Sequence, residues 1–265
     1  VYSFVAPDTA TYSANLNVEV QTGPRMMVFE GIVCEDPMCV AAGYHGQTRL
    51  NFYGMADVTY TIVIANYWDA GKYNLMITEI NAPPNDHIDG AIAIDAGDVV
   101  VGSIENASAT PFPPCGNTQD RGGENVFYTF TPSEDGSYVV DTLGLGTNFD
   151  ASIVVFGGSC TEMACVSSDN GCRDIDVDLD PPPSNCEQPP VSVTFNGKAN
   201  TEYIIMVGKF SVFSHQDSPN FEFHVSRLVS GMGCENPFPL TIGEAVDVAF
   251  GTSDPPHSIG GPWDC

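Results

Sequence analysis

The chain has 265 residues, 43% of them hydrophobic, a length that predicts about two domains with sizeable cores. Eight Lys and Arg residues against 34 Asp and Glu give a formal net charge of −26. Such a surface repels phosphate backbones, so nucleic acid is not expected as a partner. No stretch approaches the roughly 20 apolar residues of a membrane-spanning helix, so we expect a protein that is not membrane-embedded.

The first 80 residues contain five landmarks that recur in the same order later in the chain. The offset between the two copies grows along the chain, because the second copy carries an insertion around residues 169–190. Five ordered matches indicate an internal repeat. The matched segments are 1–12 with 127–138, 28–40 with 155–166, 50–52 with 193–195, 60–64 with 203–207, and 73–77 with 221–225.

A third copy begins near the other end of the sequence. Residues 240–242 and 246–251 resemble residues 92–94 and 98–102, and Cys265 falls where Cys115 does. We therefore predict three units. Residues 81–230 form a complete module, residues 1–80 are the C-terminal part of one, and residues 231–265 are N-terminal strands that complete a module of the 1–80 type.

The apolar runs are short and alternate with polar residues, as in residues 58–64 and 201–207. Alternation of this kind predicts half-buried strands. Turn sequences such as Asn196-Gly197 separate them. The expected fold is all-β, built of tandem antiparallel β-sandwich modules of the jelly-roll type.

Nine cysteines in a Gly- and Pro-rich chain are typical of an oxidising compartment, which predicts an extracellular or cell-surface location. Their spacing does not match a zinc knuckle, so disulfides are the better interpretation. Three alternatives stay open for Cys115: a free thiol, an intermolecular bond, or competition for Cys172 or Cys186. The short local pairs are Cys34 with Cys39, Cys160 with Cys165, Cys172 with Cys186, and Cys234 with Cys265.

The complete module contains a series of strand, turn and cysteine motifs: Gly102-Ser103, Cys115-Gly116, 126–132, Gly136-x-Tyr138, Phe149-Asp150-x-Ser152, 155–160 and Tyr203-x-Ile205-x-Val207. This pattern resembles that of the bacterial pre-peptidase C-terminal domain and its relatives in secreted multi-repeat proteins. The resemblance implies a compact β-sandwich, appended to secreted enzymes or surface proteins, that serves binding, targeting or adhesion. The first copy departs from the pattern by lacking the long acidic insertion.

No cofactor is expected to be required. The acidic insertion, however, is a candidate calcium site. Calcium takes six to eight oxygen ligands, and alternate carboxylates of an extended segment share one side. The spacing is not that of an EF-hand. A solvated acidic loop braced by Cys172 and Cys186 is the alternative. The candidate ligands are Asp169, Asp174, Asp176, Asp178 and Asp180.

Asn106 opens the sequon Asn106-Ala107-Ser108 and is a candidate glycosylation site. The sequence contains neither His-Glu-x-x-His nor Gly-x-Ser-x-Gly, which are signatures of metalloproteases and serine hydrolases. We therefore expect that the protein is not an enzyme.

The incomplete segments at residues 1–80 and 231–265 complement each other. We predict a structural or adhesive protein that assembles head to tail into a filament by strand complementation, in which strands of one copy complete the partial module of the next. Completion within one chain is the competing arrangement, and a tandem polypeptide would give the same geometry covalently. A calcium- or carbohydrate-binding accessory module of a secreted hydrolase, with surface glycans as partners, is the alternative function. The predicted assembly strands contain Leu240, Ile242, Val246, Val248 and Phe250.

Overall fold

The computed structural model describes residues 1–18, 23–31, 38–43, 46–66, 72–110, 112, 115, 123–142, 147, 149, 151–158, 163–169, 191–209 and 219–228. Within them the chain is built of β-strands, with one short 3-10 helix at Ile88–Gly90. The predicted all-β fold of tandem sandwiches is confirmed. Contacts group Val1–Leu228 into one compact unit.

The first module contains seven strands in two antiparallel sheets. One sheet has the order β1-β6-β3-β4 and the other β5-β2-β7. Their inward side chains share one core that includes Tyr12, Met26, Phe52 and Ile62. The strands are β1 (Tyr2–Val5), β2 (Ala10–Val18), β3 (Pro24–Glu30), β4 (Met38–Ala42), β5 (Arg49–Gly54), β6 (Thr59–Asn66) and β7 (Tyr73–Ile80).

The second module contains nine strands, in sheets of order β13-β12-β15-β10-β8 and β14-β11-β16-β9. All its pairings are antiparallel except that of β8 with β10, which is parallel and was not predicted. The strands are β8 (Ile92–Ile94), β9 (Val99–Ser103), β10 (Asn125–Phe130), β11 (Gly136–Asp141), β12 (Ala151–Gly157), β13 (Ala164–Asp169), β14 (Ser192–Gly197), β15 (Tyr203–Lys209) and β16 (Asn220–Arg227).

Strand composition follows the number of covered faces. Residues of β14 alternate strictly between exposed and buried positions, as expected when only one face meets the core. By contrast, β12 and β15 are buried along almost their whole length, because Ile88, Phe112 and Cys115 pack on the outer face of their sheet.

The repeat is reproduced in the strand registers. Tyr12 lies opposite Phe52 just as Tyr138 lies opposite Phe195. The ladder of β3 with β4 shifts after Val28, and that of β12 with β13 shifts at the corresponding place, between Val155 and Phe156. The seven strands of the first module therefore correspond in order to β10–β16 of the second.

Both modules also contain a turn that is closed by a tyrosine side chain. Tyr12 donates from its hydroxyl to the Asp8 carbonyl at 2.7 Å, and Tyr138 donates to the Glu134 carbonyl at 2.9 Å. Each tyrosine thereby buries its ring in the core while satisfying its hydroxyl within its own turn.

Candidate functional site

The second module shows which strands occupy the two outer positions of this sandwich. Strand β8 lies parallel to β10, with Ile92 opposite Tyr128. Strand β9 lies antiparallel to β16, with Val100 opposite Phe223. Both β10 and β16 therefore have a hydrogen-bonded neighbour on each side.

The corresponding positions of the first module hold no strand among the described residues. There β1 pairs with β6 alone, and β7 pairs with β2 alone. A strand at a sheet edge offers a row of backbone N–H and C=O groups to another chain. We call β1 and β7 the acceptor edges.

Side chains on the acceptor edges are more exposed than their counterparts in the second module. Tyr2 is 43% exposed and Tyr73 is 37% exposed. Their counterparts Tyr128 and Phe221 are 3% and 1% exposed. The difference is expected where an outer strand covers the second pair and not the first.

The inward face of β7 shows the same contrast. Leu75 and Ile77 are only partly buried against the core of the first module. The residues in their positions on β16, Phe223 and Val225, are fully buried. Part of the apolar surface of the first module therefore lies uncovered beside β7.

A buried carboxylate joins the two modules. Asp86 is 3% exposed. It accepts hydrogen bonds from the Thr11 hydroxyl of β2, at 2.5 Å, and from the Ser108 backbone N–H. Burial raises the pKa of the Asp86 carboxyl above its ordinary value, and the two hydrogen bonds oppose this effect.

A second set of bonds joins β5, an edge strand of its sheet, to the segment after β9. Asn51 donates from its side chain to the Ala107 carbonyl at 3.0 Å, and its own carbonyl accepts from the Ala109 N–H at 3.1 Å. These bonds and the Asp86 carboxylate explain why both modules belong to one compact unit. The sequence repeat could not reveal them, since the bonds of Thr11 and Asn51 join one module to the other.

The candidate glycosylation site lies in this junction. Asn106 accepts from the Arg49 guanidinium at 2.6 Å, and its side-chain nitrogen donates to the Asn81 carbonyl at 3.3 Å. Ser108, the third residue of the sequon, is fully buried. Glycosylation of Asn106 stays a prediction, on a nitrogen that is engaged within the folded junction.

The cysteine pairing differs from the local pattern expected for Cys165. This residue is bonded to Cys115, across a sequence separation of 50 residues. The predicted pair of Cys160 with Cys165 is therefore wrong, and Cys115 is not the unpaired cysteine. The cause is topological: Cys115 packs with Phe156 on the outer face of the sheet, directly beside β13.

The remaining predicted disulfide partners are not tested in the same way. Cys39 is exposed on β4, where it lines a cleft of 240 Å³ with Met38 and Val40. The others lie outside the described residues: Cys34, Cys160, Cys172, Cys186, Cys234 and Cys265.

The calcium prediction rests mainly on residues outside the described ones. Asp169, at the end of β13, accepts from the Ser192 N–H at 3.0 Å and so links β13 to β14. The described part of the chain contains no group of three or more His, Cys, Asp or Glu side chains suited to a metal ion. The other four candidate ligands, Asp174, Asp176, Asp178 and Asp180, lie outside it.

The predicted assembly strands, residues 240–242 and 246–251, also lie outside the described residues. The structure describes only the surface that these strands were expected to cover, the acceptor edges β1 and β7.

A search of the described ranges for helices that could span a membrane finds none of sufficient length and apolarity.

The fold thus defines an all-β protein of tandem sandwiches, with a disulfide inside the second one. In comparisons with known proteins, no family model matches the chain, and no curated protein matches it. The resemblance to the pre-peptidase C-terminal domain therefore stays a prediction.

Proposed function

We propose that this protein is a non-enzymatic, extracellular structural or adhesive protein that assembles by strand complementation. In this proposal the acceptor edges β1 and β7 of one copy receive residues 240–251 of another copy. We call these residues the donor segment. Each contact would complete a nine-stranded sandwich of the kind that the second module forms within one chain.

One observation carries the proposal. Strands β1 and β7 each have a single neighbour among the described residues, whereas β10 and β16 each have two. Addition of a strand to an exposed edge supplies affinity through main-chain hydrogen bonds, and specificity through alternate side chains. The two open edges therefore have the geometry of a binding site for two short strands.

The sequence of the donor segment suits this site. Leu240-Thr241-Ile242 repeats the pattern of β8. By the register of β8 on β10, Leu240 would lie opposite Tyr2 and Ile242 opposite Phe4. Phe4 already packs edge to face on Tyr12 and Phe52 in the core, so an apolar residue beside it would extend that cluster.

Exposed apolar side chains on the acceptor edges add a hydrophobic contribution. Tyr2 and Tyr73, on the same strand faces as the core residues Phe4 and Leu75, are 43% and 37% exposed. Covering apolar surface contributes about 25 cal/mol per Å², and protein association needs such a surplus over the entropy that it costs.

The geometry of the contact favours a filament. Donor and acceptor are different surfaces of the chain, so the contact is heterologous and need not close on itself. The disulfide of Cys115 with Cys165 supports an oxidising, extracellular setting. The net charge of −26 favours solubility of the unassembled chain.

The test is to measure the size of the full 265-residue chain by sedimentation velocity and electron microscopy over a wide range of concentrations. A synthetic peptide of residues 238–254 is added as a competitor, and the same peptide with scrambled sequence is the control. We expect concentration-dependent fibres that the competitor shortens, because it caps the acceptor edges. A monomer of 28.3 kDa at every concentration would contradict the proposal, as would fibres that the peptide leaves unchanged.

A further inference from the structure

The acceptor edges carry an aromatic pair with a close counterpart in the second module. Tyr2 and Tyr73 meet edge to face, with ring centroids 6.3 Å apart and an interplanar angle of 82°. Tyr128 and Phe221 meet in the same way, at 6.4 Å and 88°. The first pair joins β1 to β7, and the second joins β10 to β16, so both bridge the two sheets at the same place.

In the second module a glycine of β9 covers this pair. Gly102 lies directly opposite Phe221. A Cβ atom on Gly102 would lie 2.6 Å from the Tyr128 hydroxyl oxygen, and closer still to the Phe221 ring. Contacts this short are not tolerated in a packed core. A strand that lies over the aromatic pair must therefore carry glycine at this one position.

The donor segment offers a glycine at the matching place. Val246-Asp247-Val248-Ala249-Phe250-Gly251 repeats the pattern that ends in Gly102. On the basis of the proposed function, we infer that Gly251 of one copy lies over the Tyr2–Tyr73 pair of the next copy. This contact fixes the register of the added strand.

This register also assigns the neighbouring residues of the donor segment. By the pairing of β9 with β16, Phe250 lies opposite Asn74, and Ala249 lies opposite Leu75. Val101, which occupies the Phe250 position in the second module, is 76% exposed. Phe250 therefore points outward, and Ala249 points toward the core.

A slip of one residue would reverse every side chain of the added strand. Phe250 would then lie over the Tyr2–Tyr73 pair. In the second module, the counterpart pair leaves no room for even a Cβ atom on Gly102. The Tyr73 hydroxyl lies 2.9 Å from that of Tyr2, and this bond holds the pair in place. The aromatic pair therefore leaves room only for glycine at this position of the added strand.

The experiment compares full-length chains in sedimentation assays of assembly. Gly251→Val adds a branched side chain over the aromatic pair, and Phe250→Ser, on the outward face, is the matched control. We expect Gly251→Val to raise the concentration needed for assembly at least ten-fold, and Phe250→Ser to change it less than three-fold. Adding Tyr73→Ala to Gly251→Val makes room for the new side chain and is expected to restore most of the assembly.

The outcomes separate this inference from the proposed function. If wild-type protein assembles and Gly251→Val assembles equally well, the proposed register is wrong. Assembly by strand complementation would still be supported. If Phe250→Ser abolishes assembly and Gly251→Val does not, the slipped register replaces ours. If the wild-type chain does not assemble at all, the proposed function itself fails. Thermal melts of each variant check that the second module remains folded.

Discussion

The disulfide of Cys115 with Cys165 should contribute measurably to the free energy of unfolding. The bond closes a loop of 50 residues. In the chain-entropy model such a loop stabilises the folded state by about 4 kcal/mol. A local bond of Cys160 with Cys165 would contribute only about 2 kcal/mol in the same model. Replacing both Cys115 and Cys165 by Ala should therefore lower the free energy of unfolding by up to about 4 kcal/mol.

The assay is urea unfolding without reductant, together with thermal melting and peptide mapping. For a unit of this size, about 4 kcal/mol corresponds to a fall in Tm of about 8–16 °C. The sheets should survive, because the buried aromatic and aliphatic core of the second module does not depend on the bond. Recovery of a Cys160–Cys165 peptide from the wild-type chain would contradict this prediction, as would a loss of unfolding free energy below about 0.5 kcal/mol in the double variant.

Two further predictions concern the junction and the core. Because burial raises the pKa of the Asp86 carboxyl above 3.8, the free energy of unfolding should fall as pH rises from about that value through the raised pKa. Asp86→Asn should lose this part of the pH dependence in urea titrations, and identical profiles would contradict it. Gly197→Ala should cost about 1–3 kcal/mol, since a Cβ atom there would lie 2.9 Å from the Tyr138 ring; an unchanged urea midpoint would count against that close approach.

The strands and the repeat could be predicted because both depend on local pattern. Residues 201–207 alternate with period two, and β15 lies there. The sequence landmarks match Tyr12 with Tyr138 and Phe52 with Phe195, and the structure gives the two copies the same register at these residues. These features follow from side-chain direction in a strand, which is a property of neighbouring residues.

Features that depend on distant segments could not be predicted from the sequence. The bond of Cys115 to Cys165 depends on how the segment after β9 crosses a sheet, and proximity along the chain pointed to Cys160 instead. The burial of Asp86 depends on Thr11 of the other module. The parallel direction of β8 likewise depends on its connection to β10, because a short apolar run carries no sign of its orientation.

The acceptor edges were only partly predictable. The sequence indicated that residues 1–80 lack two strands of the complete module. It could not indicate that the uncovered place is marked by the Tyr2–Tyr73 pair, since Tyr2 and Tyr73 are 71 residues apart. Aromatic residues at sheet edges are common, and only the counterpart pair under Gly102 distinguishes this one.

Amide hydrogen exchange can show whether β1 and β7 are open edges that another copy fills. The measurement compares peptides covering β1 and β7 with peptides covering β10 and β16, in dilute and in assembled protein. We predict that β1 and β7 exchange rapidly in dilute protein and become as protected as β10 and β16 after assembly. Equal protection of all four strands at every concentration would contradict the proposed assembly, because it would mean that each chain closes its own edges.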